Sequence, residues 1–163
     1  MRDSASLDAN VRRMDTTPPD PAWQLALRVA AARDNDEQTW QFLALVDRAS
    51  GRVCRETARA LLATFSARPD YGTQERVCGV LSTGDPDVVL DAILQELPRL
   101  VEEAPDWAEV LFGGEVHWRP AETSAAIRRA SPEARRTAIR LLRRPDFARF
   151  YANSGEVLDN ASV

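Results

Sequence analysis

Apolar residues in this chain recur at steps of three and four, and the segments that carry them begin at a cap residue followed by proline. Between Asp70 and Trp118 the positions Val89, Ile93, Leu97, Leu100 and Ala104 fall on one side of a helix, just after Asp85-Pro86. Proline is tolerated at a first helical position, because the N–H it lacks would have no intrahelical partner there. The same device stands at Asp20-Pro21 and Ser131-Pro132, and Ala104-Pro105 and Pro145-Asp146 read as further restarts. No segment of four or more residues shows a two-residue alternation that competes with the helical pattern. The chain is therefore expected to be all-α.

The pattern gives about eight or nine short helices. They cover 21–33, a segment opening at Asp34-Asn35-Asp36-Glu37 and broken by Ser50-Gly51, 52–66, 72–82, and a long stretch from Pro86 past Leu100. Pro98 lies inside that stretch, where it removes a backbone hydrogen bond and is expected to kink or split the helix. A short helix from Pro105 should stop at Gly113-Gly114, leaving 115–120 as a loop that holds His117 and Trp118. Helices over 121–130 and 132–144 follow, then a last short one with Phe147, Phe150 and Tyr151. Trp40, Phe42, Leu43, Leu45 and Val46 make the second helix apolar around most of its girth, as in a helix packed between neighbours. Short Pro/Asp/Gly turns fit antiparallel pairs in a HEAT-like α-solenoid or a compact helical bundle. In domain terms, 1–18 is a flexible N-terminal arm, 19–152 a single all-α domain and 153–163 a frayed C-terminal tail.

A chain of 163 residues is long enough for one ordinary core. It has no apolar run of transmembrane length and no apolar stretch suited to a secretory leader, so a cytoplasmic protein is expected. Every one of the 21 basic residues is arginine. Cys54 and Cys78 sit at helical apolar positions rather than in a CxxC pair, which favours reduced thiols over a disulfide or a metal site.

Charge is distributed unevenly. Residues 70–125 carry twelve acids against Arg76, Arg99 and Arg119, a net of minus nine, whereas 126–150 carry eight arginines against Glu133 and Asp146, a net of plus six. The acids fall opposite the apolar stripe, on the hydrated side, where paired carboxylates lack the separated environments that acid–base catalysis needs. His117 is the only histidine, and lysine is absent, which removes a His-rich metal cluster and a phosphate loop with its lysine. No catalytic residue, metal site or cofactor is expected. Trp107 reads as a core residue, while Trp118 suits a core or an interface equally. The arginines Arg135, Arg136, Arg140, Arg143 and Arg144 invite a nucleic-acid reading, but a pI near 5.1 argues for pairing with the acidic middle or plain solvation.

The segment from Tyr71 to Phe112 resembles small helical immunity proteins of bacterial polymorphic-toxin and contact-dependent inhibition systems. The resemblance rests on Tyr71-Gly72-x-Gln74-Glu75, the Leu81-Ser82 turn before an acidic helix, Glu96-Leu97-Pro98-x-Leu100 and Ala104-Pro105-x-Trp107-Ala108. It implies a non-enzymatic protein that binds a cognate toxin domain and blocks its active site or substrate channel. Toxin domains that attack nucleic acid are typically basic, so an acidic face would speed encounter and set specificity. Face and charge propose Asp87, Asp91, Glu102, Glu103, Asp106 and Glu109 as contacts, with Trp118 or Tyr71 as aromatic anchor. Two other readings stand beside this one. They are a helical-repeat scaffold or regulator for another protein, and a nucleic-acid-binding helical repeat that uses the arginines over 132–144.

Overall fold

The computed structural model describes residues 20–33, 35–69 and 72–162. The expected arm over 1–18, and Tyr71, lie outside them. Ten helices and no strand are present among the described residues: α1 (Pro21–Ala31), α2 (Asp36–Asp47), α3 (Arg55–Leu62), α4 (Thr73–Leu81), α5 (Pro86–Glu103), α6 (Pro105–Trp118), α7 (Pro120–Arg129), α8 (Pro132–Leu142), α9 (Pro145–Phe150) and α10 (Ser154–Ser162). The protein is all-α.

The helix starts form by the chemistry their sequence suggests. The Asp20 carboxylate accepts from the Trp23 N–H at 2.8 Å, that of Asp85 from Asp87 and Val88, and the Ser131 hydroxyl from Ala134 at 3.2 Å. Asn35 caps α2 in the same way through the Gln38 N–H. Each such cap satisfies a backbone donor that the first turn leaves orphaned and stabilises by about 1 kcal/mol.

Four expectations need correction. Pro98 does not divide α5, which is assigned as one helix over 18 residues. Gly113-Gly114 does not end α6 either; the helix continues through His117 to Trp118, so 115–120 is not a loop. The end of the chain is α10 rather than a frayed tail, with Val157 and Ala161 fully buried. Finally, α2 is not enclosed by neighbours: Phe42 and Val46 are buried, but Trp40 points to solvent.

The helices stack in sequence order at the N-terminal end. There α1 packs beside α2 and α3, α2 beside α4, and α3 beside α4 and α5. The indole N–H of Trp23 reaches the Leu45 carbonyl at 2.9 Å, and the Arg33 guanidinium lies over the Phe42 ring at 4.1 Å, so α1 and α2 are tied along their length. From α5 onward the arrangement becomes a bundle: α5 meets α6, α7 and α8, and α10 lies against α7. Leu90, Leu94, Leu97 and Leu100 of α5 are fully buried at its centre, each contributing about 1.5–3 kcal/mol relative to exposure. Two aromatic contacts join distant segments, Phe65 to Trp107 at 5.1 Å and Phe112 to Phe147 at 5.8 Å. Buried Gln74 accepts from the Ser66 N–H at 2.8 Å and so pins the link from α3 to α4.

Candidate protein-docking face

Helices α5 and α6 form an antiparallel hairpin that turns at Ala104. The antiparallel course follows from Arg119, just past α6, which donates to the Pro86 carbonyl at 2.9 Å and pairs with Asp87 at the start of α5. Its other partner is Glu115 at 3.2 Å. Burial pushes the Glu115 carboxyl above the ordinary carboxylate range, and the neighbouring Arg119 opposes this without cancelling it. Trp118 therefore sits beside a small ionic cluster at one end of the hairpin.

Glu102, Glu103 and Asp106 sit at the other end, about 22 Å from Asp87 along α5 at 1.5 Å per residue. The proposed acidic residues thus do not form one continuous patch. Most of them are also engaged inside the molecule. Asp91 lies 3.7 Å from both Arg55 of α3 and Arg129 of α7. Glu103 accepts from Arg99 at 2.7 Å, and Glu109 pairs with Arg144 at 2.7 Å. Glu102 and Asp106 are exposed and enter no ion pair among the described residues. They are the carboxylates of the set left for a partner.

The outward side of α6 supplies what such a pair of charges needs beside it. Trp118 is 79% exposed, with His117 edge-on to its ring at 4.5 Å, and Val110 is exposed two turns earlier on the same side as Asp106. Asn153 donates to the His117 carbonyl at 2.9 Å and fixes this end of α6 to the segment before α10. Asp106 and Val110 thus share a side of α6, about 40° apart, and Trp118 stands at the far end of the helix about 120° round from Asp106. Trp107 is half-buried against the core, in keeping with its expected packing role.

Two further surfaces stand apart from this face, the first not singled out by the sequence and the second marked there by its arginines. Exposed Leu25 and Val29 of α1 border a groove of about 630 Å³ against α2, with Ala26, Ala30 and Leu45 in its lining. Their i, i+4 spacing on the side of α1 away from Trp23 and Leu27 is the signal that marks them. The second surface is the outer side of α8. There the expected pairing of arginines with the acidic middle holds for Arg144 alone, through Glu109, while Arg135 donates to the Ala161 carbonyl at 2.9 Å.

Cys54 and Cys78 are half-buried thiols, and neither is in a disulfide. Among the described residues no group of His, Cys, Asp and Glu is placed to hold a metal ion, and no helix is long and apolar enough to cross a membrane. No protein-family model, curated protein or solved structure matches the chain.

Proposed function

We propose that this protein binds and neutralises a cognate toxin domain, acting as a small all-helical immunity protein through the outward side of the α5–α6 hairpin. The observation that carries the reading is the exposure of Trp118 on the same helix as the unpaired Asp106. An exposed tryptophan held on a rigid helix is a preferred interface anchor, since it buries a large area at little entropic cost. Glu102 and Asp106 present charge that no described residue pairs with, which suits a basic partner and speeds its encounter. The protein acts by covering its partner rather than by catalysis.

Co-expression with the product of the adjacent upstream gene tests this. That product should be toxic alone, tolerated with this protein, and recovered with it on purification. Trp118→Ala should weaken the complex by about 2 kcal/mol, and reversal of Glu102 and Asp106 to arginine should slow association about tenfold while helicity is unchanged. A harmless neighbour, or one that does not co-purify, defeats the proposal. The groove between α1 and α2 favours a second reading, a scaffold that receives an amphipathic helix of another protein, which loss of binding in Val29→Asp with Trp118→Ala silent would support.

A further inference from the structure

Many of the arginines of this chain are internal clamps. Arg55, Arg59, Arg76, Arg119, Arg129 and Arg144 each hold a carboxylate of another part of the chain, Arg99 holds the Leu62 carbonyl of α3, and Arg128 and Arg135 hold the last carbonyls of α10. The pattern fails at Arg28 and Arg48, which stand singly, and at one group of four. Arg136 and Arg140 on α8, Arg143 at its C-cap and Arg149 on α9 are exposed, and no side chain among them is bonded to or paired with another described residue.

The three on α8 are not scattered. Ala134, Thr137, Ala138, Leu141 and Leu142 hold the inner face of the helix, and at 100° per residue Arg136, Arg140 and Arg143 point away from it within one narrow sector. Their Cα atoms span about 10 Å of helix. Phe150 follows Arg149 at the end of α9 and is 78% exposed. A row of guanidinium groups with only Glu133 beside it, followed by a bare aromatic ring, adds nothing to stability, since like charges at i, i+4 repel.

We propose that the α8–α9 edge binds single-stranded nucleic acid, with Arg136, Arg140, Arg143 and Arg149 on the phosphates and Phe150 as a stacking platform for one base. A flexible strand with a charge at every residue satisfies such a row without shape complementarity, and a base offers a flat face to stack on the exposed phenyl ring. An acidic protein segment fits less well, because protein interfaces are depleted of charge at their centre and this row has no apolar seam within it. The negative net charge of the chain does not cancel the effect. Exposed charges more than about 8 Å away are screened at physiological salt; of the acids close by in sequence or fold, Asp146 and Glu109 are engaged by Arg144, and Glu133 at the start of α8 offsets one of the row's charges.

Fluorescence anisotropy of the whole protein against a labelled 20-nucleotide DNA or RNA strand of mixed sequence tests the proposal. Four phosphate contacts predict that affinity falls about fifty-fold between 50 and 200 mM salt. In R136A/R140A/R143A the same change of salt should cost about threefold, as for one contact, with the helical circular dichroism retained. Phe150→Ala should weaken the strand about tenfold and leave a duplex of equal length unaffected. Absence of binding at 50 mM salt overturns the proposal, as does a triple variant that binds like the parent. Displacement of the strand by polyglutamate as effectively as by unlabelled strand would assign the row to acidic polypeptides instead. Equal affinity for duplex and strand together with a silent Phe150→Ala would overturn the single-strand assignment. Trp118→Ala should bind the strand normally, which separates this test from that of the docking face.

Discussion

The ring of Tyr151 occupies the place that a Cβ on Gly113 would have to take. Gly113 is buried in the middle of α6, and Tyr151 packs at a tilt against Phe147, with ring centroids 4.7 Å apart, while its ring lies against the glycine. Gly113→Ala is therefore expected to destabilise by about 1–3 kcal/mol through overpacking, although alanine is the better helix former. In a Tyr151→Ala background the same substitution should become neutral or stabilising by up to about 1 kcal/mol, because only the helical preference is left. A double-mutant cycle in urea measures this coupling. Additive effects would show that the two residues do not meet as described.

This pair also explains which parts of the structure the sequence discloses. Helix starts are legible because the cap, the proline and the first-turn acid act within a few residues of one another, as at Asp85-Pro86 and Ser131-Pro132. Gly113 reads as a breaker because the reason for it lies 38 residues downstream. Likewise the tail from Asn153 has little local signal for order, and becomes a helix because α7 offers it an apolar surface and Arg128 and Arg135 cap its end. The acidic excess over 70–125 was legible as a count, but not its fate. Whether Asp91 or Glu109 faces a partner or an internal arginine depends on Arg129 and Arg144, which only the fold brings near. Trp40 and Trp118 illustrate the same limit, since periodicity assigns a side of a helix without showing whether another helix covers it.

If α10 is part of the core, it cannot be altered freely. Val157 and Ala161 are fully buried, and the Ser124 hydroxyl of α7 donates to the Val157 carbonyl at 3.5 Å. Val157→Asp is expected to cost about 3 kcal/mol or more by burying an unpaired charge. Deletion of 154–163 should also lower the melting temperature and expose α7. Thermal unfolding that is unchanged in both variants would return this segment to the status of a tail.

Arg99 joins three acceptors in one guanidinium. It donates to the Leu62 carbonyl at the end of α3 at 2.7 Å, to Glu96 at 3.3 Å and to Glu103 at 2.7 Å. Glu103 is mostly exposed and contributes little, so the weight falls on the carbonyl and on half-buried Glu96. Arg99→Ala is expected to cost about 2 kcal/mol. Arg99→Lys should cost about 1 kcal/mol, because a single ammonium cannot reach all three acceptors at once. Equilibrium unfolding of the two variants should rank them in that order, and equal losses would mean that packing of the stem, rather than the forked head, holds α5 to α3.

Glu115 gives the protein a pH dependence whose sign follows from its environment. Burial raises its folded-state pKa above the ordinary carboxylate value, and the pairing with Arg119 reduces that rise without reversing it. A carboxyl whose pKa is higher folded than unfolded binds its proton more readily in the native state, so its contribution to stability is full below the unfolded pKa and is lost as pH rises through the folded one. Glu115→Gln fixes the site in a neutral form at every pH, and the other titrating groups cancel in the comparison. The variant should therefore gain most over the parent near pH 7, with the gap closing as pH falls towards about 4 through the carboxylate range. Arg119→Ala should enlarge the gap at neutral pH, since the opposing charge is gone. Unfolding free energies of the parent and Glu115→Gln across this range decide the matter. A gap that widens on acidification would mean that the ion pair with Arg119 outweighs burial, and a constant gap that Glu115 titrates as it does in the unfolded chain.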